Sequence, residues 1–102
     1  MRLNPDLSKL EAFRRKWRVT GLWYHGSVLR SWFRQDSDVD VVLEFAGGDE
    51  PGLLELAAMR EELSAALRWP ADITTLGALR RDPNRRRSGA ILREMRKLVP
   101  GR

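Results

Sequence analysis

Asp38 and Asp40 stand one residue apart at the head of the apolar run "VVLEF". A strand sends alternate side chains to opposite faces, so these two carboxylates share a face, with Cα atoms roughly 6–7 Å apart. Two negative charges that close repel each other, and a cation between them removes the repulsion. Mg²⁺ takes hard oxygen ligands at about 2.1 Å, commonly one or two carboxylates plus phosphate oxygens. A D-x-D pair at a strand end suits that demand. Upstream, Gly26 and Ser27 follow the apolar run "VTGLWYH". A glycine at that point lets a ligand approach the backbone closely. A serine opening a helix adds its hydroxyl to free N–H groups that attract an anion. Cation and phosphate chemistry would then lie on adjacent strand ends.

The elements that must position these residues are legible from periodicity. Leu7, Leu10, Phe13 and Trp17 recur at helical spacing over residues 6–18, with Asp6 as N-cap after Pro5. Residues 19–25 form a buried strand. "SVLRSWFR" makes a short helix from Ser27, and "DVDVVLEF" is the second strand, with Val39, Val41, Leu43 and Phe45 sharing its core face. "AGGDEPG" is a turn. Asp49 is expected to cap the next helix, with Pro51 in its first turn and Leu53, Leu56, Met59, Leu63 and Leu67 on its face. "ADITTL" is a third strand, with Asp72, Thr74 and Leu76 on one face. "LGALRRDPNRRRSG" reads as loop-rich, with Asn84 a possible cap, and Ile91, Leu92, Met95, Leu98 and Val99 mark a last helix. The order α-β-α-β-α-β-α predicts an α/β (α+β) architecture, one small mixed sheet with helices packed on it.

A chain of 102 residues is expected to form one domain over residues 1–102, with no second domain to hold a substrate. No apolar run is long enough for a membrane span, and the start "MRLNPDLSKLEAF" lacks an apolar signal region, so a cytoplasmic setting is expected. Cysteine is absent, which excludes disulfides and thiolate chemistry. The net charge of +5 conceals a pattern: +6 over residues 1–34, −8 over 35–75 and +7 over 76–102. An acidic centre between basic flanks suits a cation in the middle and an anion or partner around it. Residues 76–102 contain no aromatic residue, so direct nucleic-acid binding is not expected. Arg85, Arg86 and Arg87 open the last helix against its dipole, which suits a phosphate or partner contact. The single histidine, His25, reads as a strand-end residue, and Trp17, Trp23 and Trp69 as core. Trp32 and Phe33, in a polar stretch, could face a partner or a nucleobase.

Gly26-Ser27, ten intervening residues, Asp38-x-Asp40 and the later strand acid Asp72 resemble the DNA polymerase β-type nucleotidyltransferase superfamily. "DSDVDVVLEF" in so short a chain is most similar to the minimal nucleotidyltransferases, antitoxins paired with HEPN-domain toxins. The resemblance covers about residues 7–98. It implies a nucleotidyltransferase-like fold that binds ATP through Mg²⁺, two ions in all. It places Ser27 with Gly26 and Arg30 near the triphosphate, and Asp38, Asp40 and Asp72 as metal ligands and catalytic acids. His25 stands where relatives commonly have an aromatic, and Ser31 where they often have a second glycine.

The function this implies is transfer of AMP from ATP to a hydroxyl, a tyrosine of a cognate HEPN ribonuclease toxin, so that the chain acts as antitoxin. A partner that carries its own acceptor solves the lack of an acceptor-binding domain. Two alternatives stay open. One is a non-catalytic antitoxin that neutralises its partner by contact. The other is a nucleotidyltransferase acting on a small molecule such as an aminoglycoside.

Overall fold

A computed structural model of the chain describes residues 5–25, 39–48 and 50–97. The helix expected after Ser27, with Trp32 and Phe33, lies outside them. The first helix, α1 (Leu7–Trp17), starts where its sequence says it should. Asp6 accepts the N–H groups of Ser8 and Lys9 at 3.1 and 3.2 Å, satisfying donors that a first helical turn leaves without partners. Arg18 ends the helix in the left-handed region at φ 58°. Its N–H reaches back to the Arg14 carbonyl.

Strand β1 (Val19–His25) pairs antiparallel with β2 (Val39–Phe45). Helix α2 (Leu53–Leu67) then crosses over, so β3 (Ala71–Thr75) lies parallel to β2. A two-residue strand, β4 (Arg96–Lys97), pairs antiparallel with the far edge of β1. The sheet order is β3-β2-β1-β4. It is mixed, as expected, with β4 a fourth strand that periodicity did not show.

The two faces of the sheet are covered separately. Val39, Val41, Leu43 and Phe45 of β2 pack with Leu10 and Phe13 of α1 and Met59, Leu63, Ala66 and Leu67 of α2. The opposite face carries a smaller cluster: Val42 with Leu76 and Leu79 of α3 (Leu76–Arg81), and Trp23, Ile91 and Met95 beside them. Ile91 belongs to α4 (Arg85–Glu94), and Met95 caps that helix.

Four expectations are corrected. Helix α2 starts at Leu53 with Gly52 as N-cap, its N–H bonded to the Glu55 carboxylate at 2.8 Å. Pro51 therefore precedes the helix, and Asp49 lies outside the described residues. Leu53 projects beyond the sheet at 85% exposure, although the rest of the expected α2 face is buried or partly so. Leu76 ends no strand. It opens α3, because Thr75 turns its hydroxyl to the Ala78 N–H at 3.1 Å and caps a helix where a loop was expected. The last helix ends at Glu94 and gives way to β4. The Asn84 cap is observed, its side chain accepting the Arg87 N–H at 3.1 Å. The arginines that follow are partly held by the protein itself. Arg87 pairs with Asp82 at 2.7 Å, and Arg85 donates to the Arg80 carbonyl at 3.2 Å.

Glu50 latches the segment before α2 to α3. It accepts two bonds from the Arg81 guanidinium, at 3.2 and 3.1 Å, and one from the Thr75 hydroxyl at 3.2 Å. The pair lies across Gly77, where any Cβ would collide with the Glu50 carboxylate. The Arg81 bonds, with help from Thr75, hold the Glu50 carboxyl below its ordinary 4.5. A carboxyl lowered on folding adds stability that is present above pH 4.5 and is lost as pH falls below it, through the folded-state value. The Glu50→Gln variant is therefore expected to be less stable than wild type at neutral pH. The difference should shrink on acidification below pH 4.5. Urea midpoints measured across that range check this; a difference that stays constant with pH removes the latch from the acid response.

Candidate active site

Asp40 is the second residue of β2, and strand pairing decides what stands beside it. On the parallel side its register partner is Asp72 of β3; on the antiparallel side it is His25 of β1. Register partners on neighbouring strands project to the same face, with strands about 4.8 Å apart. The Asp40 and Asp72 carboxylates therefore leave one rung of the sheet in one direction. Asp40 is partly buried and Asp72 is exposed. Their face is the one that carries Val42, one step further along β2.

One further bond and a buried reverse face fix the rung. The Val39 N–H donates to the Pro70 carbonyl at 2.9 Å, so β2 and β3 are joined immediately before both acids. On the reverse face Val39, Val41 and Ala71 are fully buried, which prevents either strand from turning over.

Of the residues that sequence reasoning singled out, the structure brings Asp40 and Asp72 together. Asp38, Gly26, Ser27 and Arg30 lie outside the described residues. Among the described residues no group of three metal-ligating side chains converges. The donor set on the rung is two carboxylates, which suits Mg²⁺, a cation that takes one or two carboxylates and completes its shell with phosphate and water. The backbone position of His25 on the same rung was not foreseen; only the antiparallel register reveals it. A hollow of about 320 Å³, bordered by Trp17, Arg18, Phe45 and Pro51, lies at the other end of β2 and takes no part in this arrangement.

The nucleotidyltransferase domain family matches residues 8–98, from α1 past β4. This chain belongs to that family. The mixed sheet, with an acid at the start of β2 and another beside it on β3, lies within the matched residues. The fold is also similar to that of a chain in a toxin–antitoxin complex crystallised with AMP-PNP. That likeness has a TM-score of 0.66 at 17% identity and covers 90% of this chain and 71% of the other. No curated protein matches the sequence. No helix among the described residues is long and apolar enough to cross a membrane.

Proposed function

We propose that this nucleotidyltransferase domain transfers AMP from ATP to a tyrosine hydroxyl of a HEPN-type toxin and so acts as its antitoxin. The observation that carries the reading is the Asp40–Asp72 rung, two carboxylates on one face of neighbouring parallel strands. The membership of the family supports the reaction class. The structural neighbour, which belongs to a toxin–antitoxin complex and was solved with an ATP analogue, supports the partner and the nucleotide.

In this reading Gly26, Ser27 and Arg30 receive the triphosphate. Asp38 and Asp40 would hold Mg²⁺ for the nucleotide, and Asp72 would hold it for the acceptor. When bound, the two ions neutralise phosphate charge and make the acceptor oxygen a better nucleophile. The acceptor oxygen attacks the α-phosphorus, the bond from that phosphorus to the bridging oxygen breaks, and pyrophosphate leaves. The hydroxyl proton passes to Asp72, the exposed member of the pair. Exposure matters here, because the acceptor is carried on another protein and has to reach the acid from outside.

The test is transfer of label from α-labelled ATP to the purified partner. Label is expected on a partner tyrosine with Mg²⁺ and is expected to disappear with chelator. Mg·ATP at a hundredfold excess over its Kd should also stabilise the chain by about 2.7 kcal/mol, a gain that chelator removes. Tight partner binding without any label would replace catalysis with neutralisation by contact.

A further inference from the structure

Strand β3 is an edge strand of five residues, and Asp72 is only its second. Strand ends at sheet edges open easily, since one side of the backbone has no strand to pair with. Ala71, immediately before Asp72, nevertheless has both of its outward backbone groups satisfied. The Ser64 hydroxyl accepts its N–H at 2.9 Å, and the Arg60 Nε–H donates to its carbonyl at 3.0 Å. Arg60 and Ser64 are four residues apart on α2, hence on one side of the helix, and together they do what a further strand would do. The same turn is tied again by the Trp69 N–H, which donates to the Ser64 carbonyl at 3.2 Å.

From this we infer that Arg60 and Ser64 are positioning residues, a clamp by which α2 fixes the start of β3 and so sets Asp72 against Asp40. The inference rests on the reading of those two acids as the metal-holding pair. The clamp is not needed to keep β3 in the sheet, because the side chains of Ala71 and Thr75 are buried and Ile73 packs on the core. What it controls is the position of β3 along and about its own axis, at the residue that carries the acid. Partners that orient ligating carboxylates typically contribute 10–100-fold in metal affinity or activity.

Side-chain geometry supplies a clean comparison. The amide nitrogen of glutamine stands as many bonds from Cα as Nε of arginine, so Arg60→Gln keeps the donor and loses the charge. Methionine puts a methyl group at the same place, so Arg60→Met keeps the stem and loses the donor. Ser64→Thr keeps the hydroxyl, and Ser64→Ala removes it. The experiment is a titration with Mn²⁺ in the presence of AMP-PNP, read by paramagnetic resonance, alongside kcat and KM for transfer.

Arg60→Met and Ser64→Ala are expected to weaken binding of the second Mn²⁺, the acceptor-side ion assigned to Asp72, about tenfold or more and to lower kcat in proportion, with the nucleotide-side ion and KM for ATP changed less than about threefold. Arg60→Gln and Ser64→Thr are expected to stay within about threefold of wild type in both. Equal behaviour of the donor-keeping and donor-removing variants overturns the clamp. So does a loss of melting temperature in Arg60→Met and Ser64→Ala with Mn²⁺ affinity unchanged. If wild type binds Mn²⁺ but transfers nothing, the proposed reaction fails while the Mn²⁺ comparison still decides the clamp. If wild type binds no Mn²⁺, both fail.

Discussion

Asp72→Asn is expected to abolish AMP transfer and to leave Mg·ATP binding nearly unchanged. The expectation follows from the two different surroundings of one rung. Asp40 is in the interior strand β2, partly buried, and adjoins the segment that holds Gly26, Ser27 and Asp38. Asp72 is on the edge strand and exposed, on the side from which the acceptor would arrive in the proposed reaction. Asparagine has nearly the same shape as aspartate, so the β2–β3 register survives the change. It carries no charge and takes up no proton at neutral pH. Loss of a positioned base alone costs 10²–10⁴-fold in rate, and loss of an acceptor-side ligand adds to that. In the proposed site the nucleotide side would keep both Asp38 and Asp40. Asp40→Asn, by contrast, is expected to impair binding and transfer together. Titration with Mg·ATP and label transfer to the partner, run on both variants, separate the two acids. Full transfer by Asp72→Asn would remove the acceptor-side role, and parallel loss of binding in both variants would make the two acids equivalent.

Leu43→Ala is expected to remove a large part of the folding free energy. Leu43 is fully buried in the middle of β2, between Leu22 of β1 and Thr75 of β3. Truncation there loses the transfer free energy of three carbons and leaves a cavity that a sheet cannot close, since the strands are held by their ladders. The cost is about 2–5 kcal/mol, against roughly 5–15 kcal/mol for a domain of this size. The melting temperature should fall by roughly 10–25 °C. Leu54→Ala is the control. Leu54 is 89% exposed, and the same truncation there should stay within about 0.5 kcal/mol of wild type. Thermal unfolding of both variants makes the comparison. Similar melting temperatures for the two would mean that β2 does not organise the core.

Much of this fold could be read from residue order because the principal elements each carry their own signal. Asp6 with Leu10 and Phe13 specifies α1 locally, and the β-branched and apolar run from Val19 specifies β1. The alternation of Val39, Val41, Leu43 and Phe45 identifies the core face of β2 and hence the face of Asp40. Elements that depend on tertiary context were not legible. Strand β4 is two residues long and exists because β1 offers an edge. Helix α3 has six residues, includes Gly77, and begins at a threonine whose β-branched neighbours extend a strand pattern to that point. In the candidate site, alternation gives Asp72 a face relative to Thr74 but not relative to Asp40. The bond between Val39 and Pro70 settles that register. Arg60 and Ser64 resemble ordinary polar residues of a surface helix until β3 is placed beside them.

Strand β4 has a consequence for how the chain is made. Its partners, Trp23 and Tyr24, are synthesised more than two thirds of a chain length earlier. Helix α1 with β1, β2, α2 and β3 can assemble as the chain emerges, but the outer edge of β1 at Trp23 stays open until Arg96 and Lys97 leave the ribosome. A contact this distant in sequence closes slowly, because the intervening chain has to be ordered before the pairing contributes anything. Nascent chains therefore pass through a period with an unpaired strand edge beside a large indole. For as long as translation of the second half takes, that edge is a template on which another chain can pair.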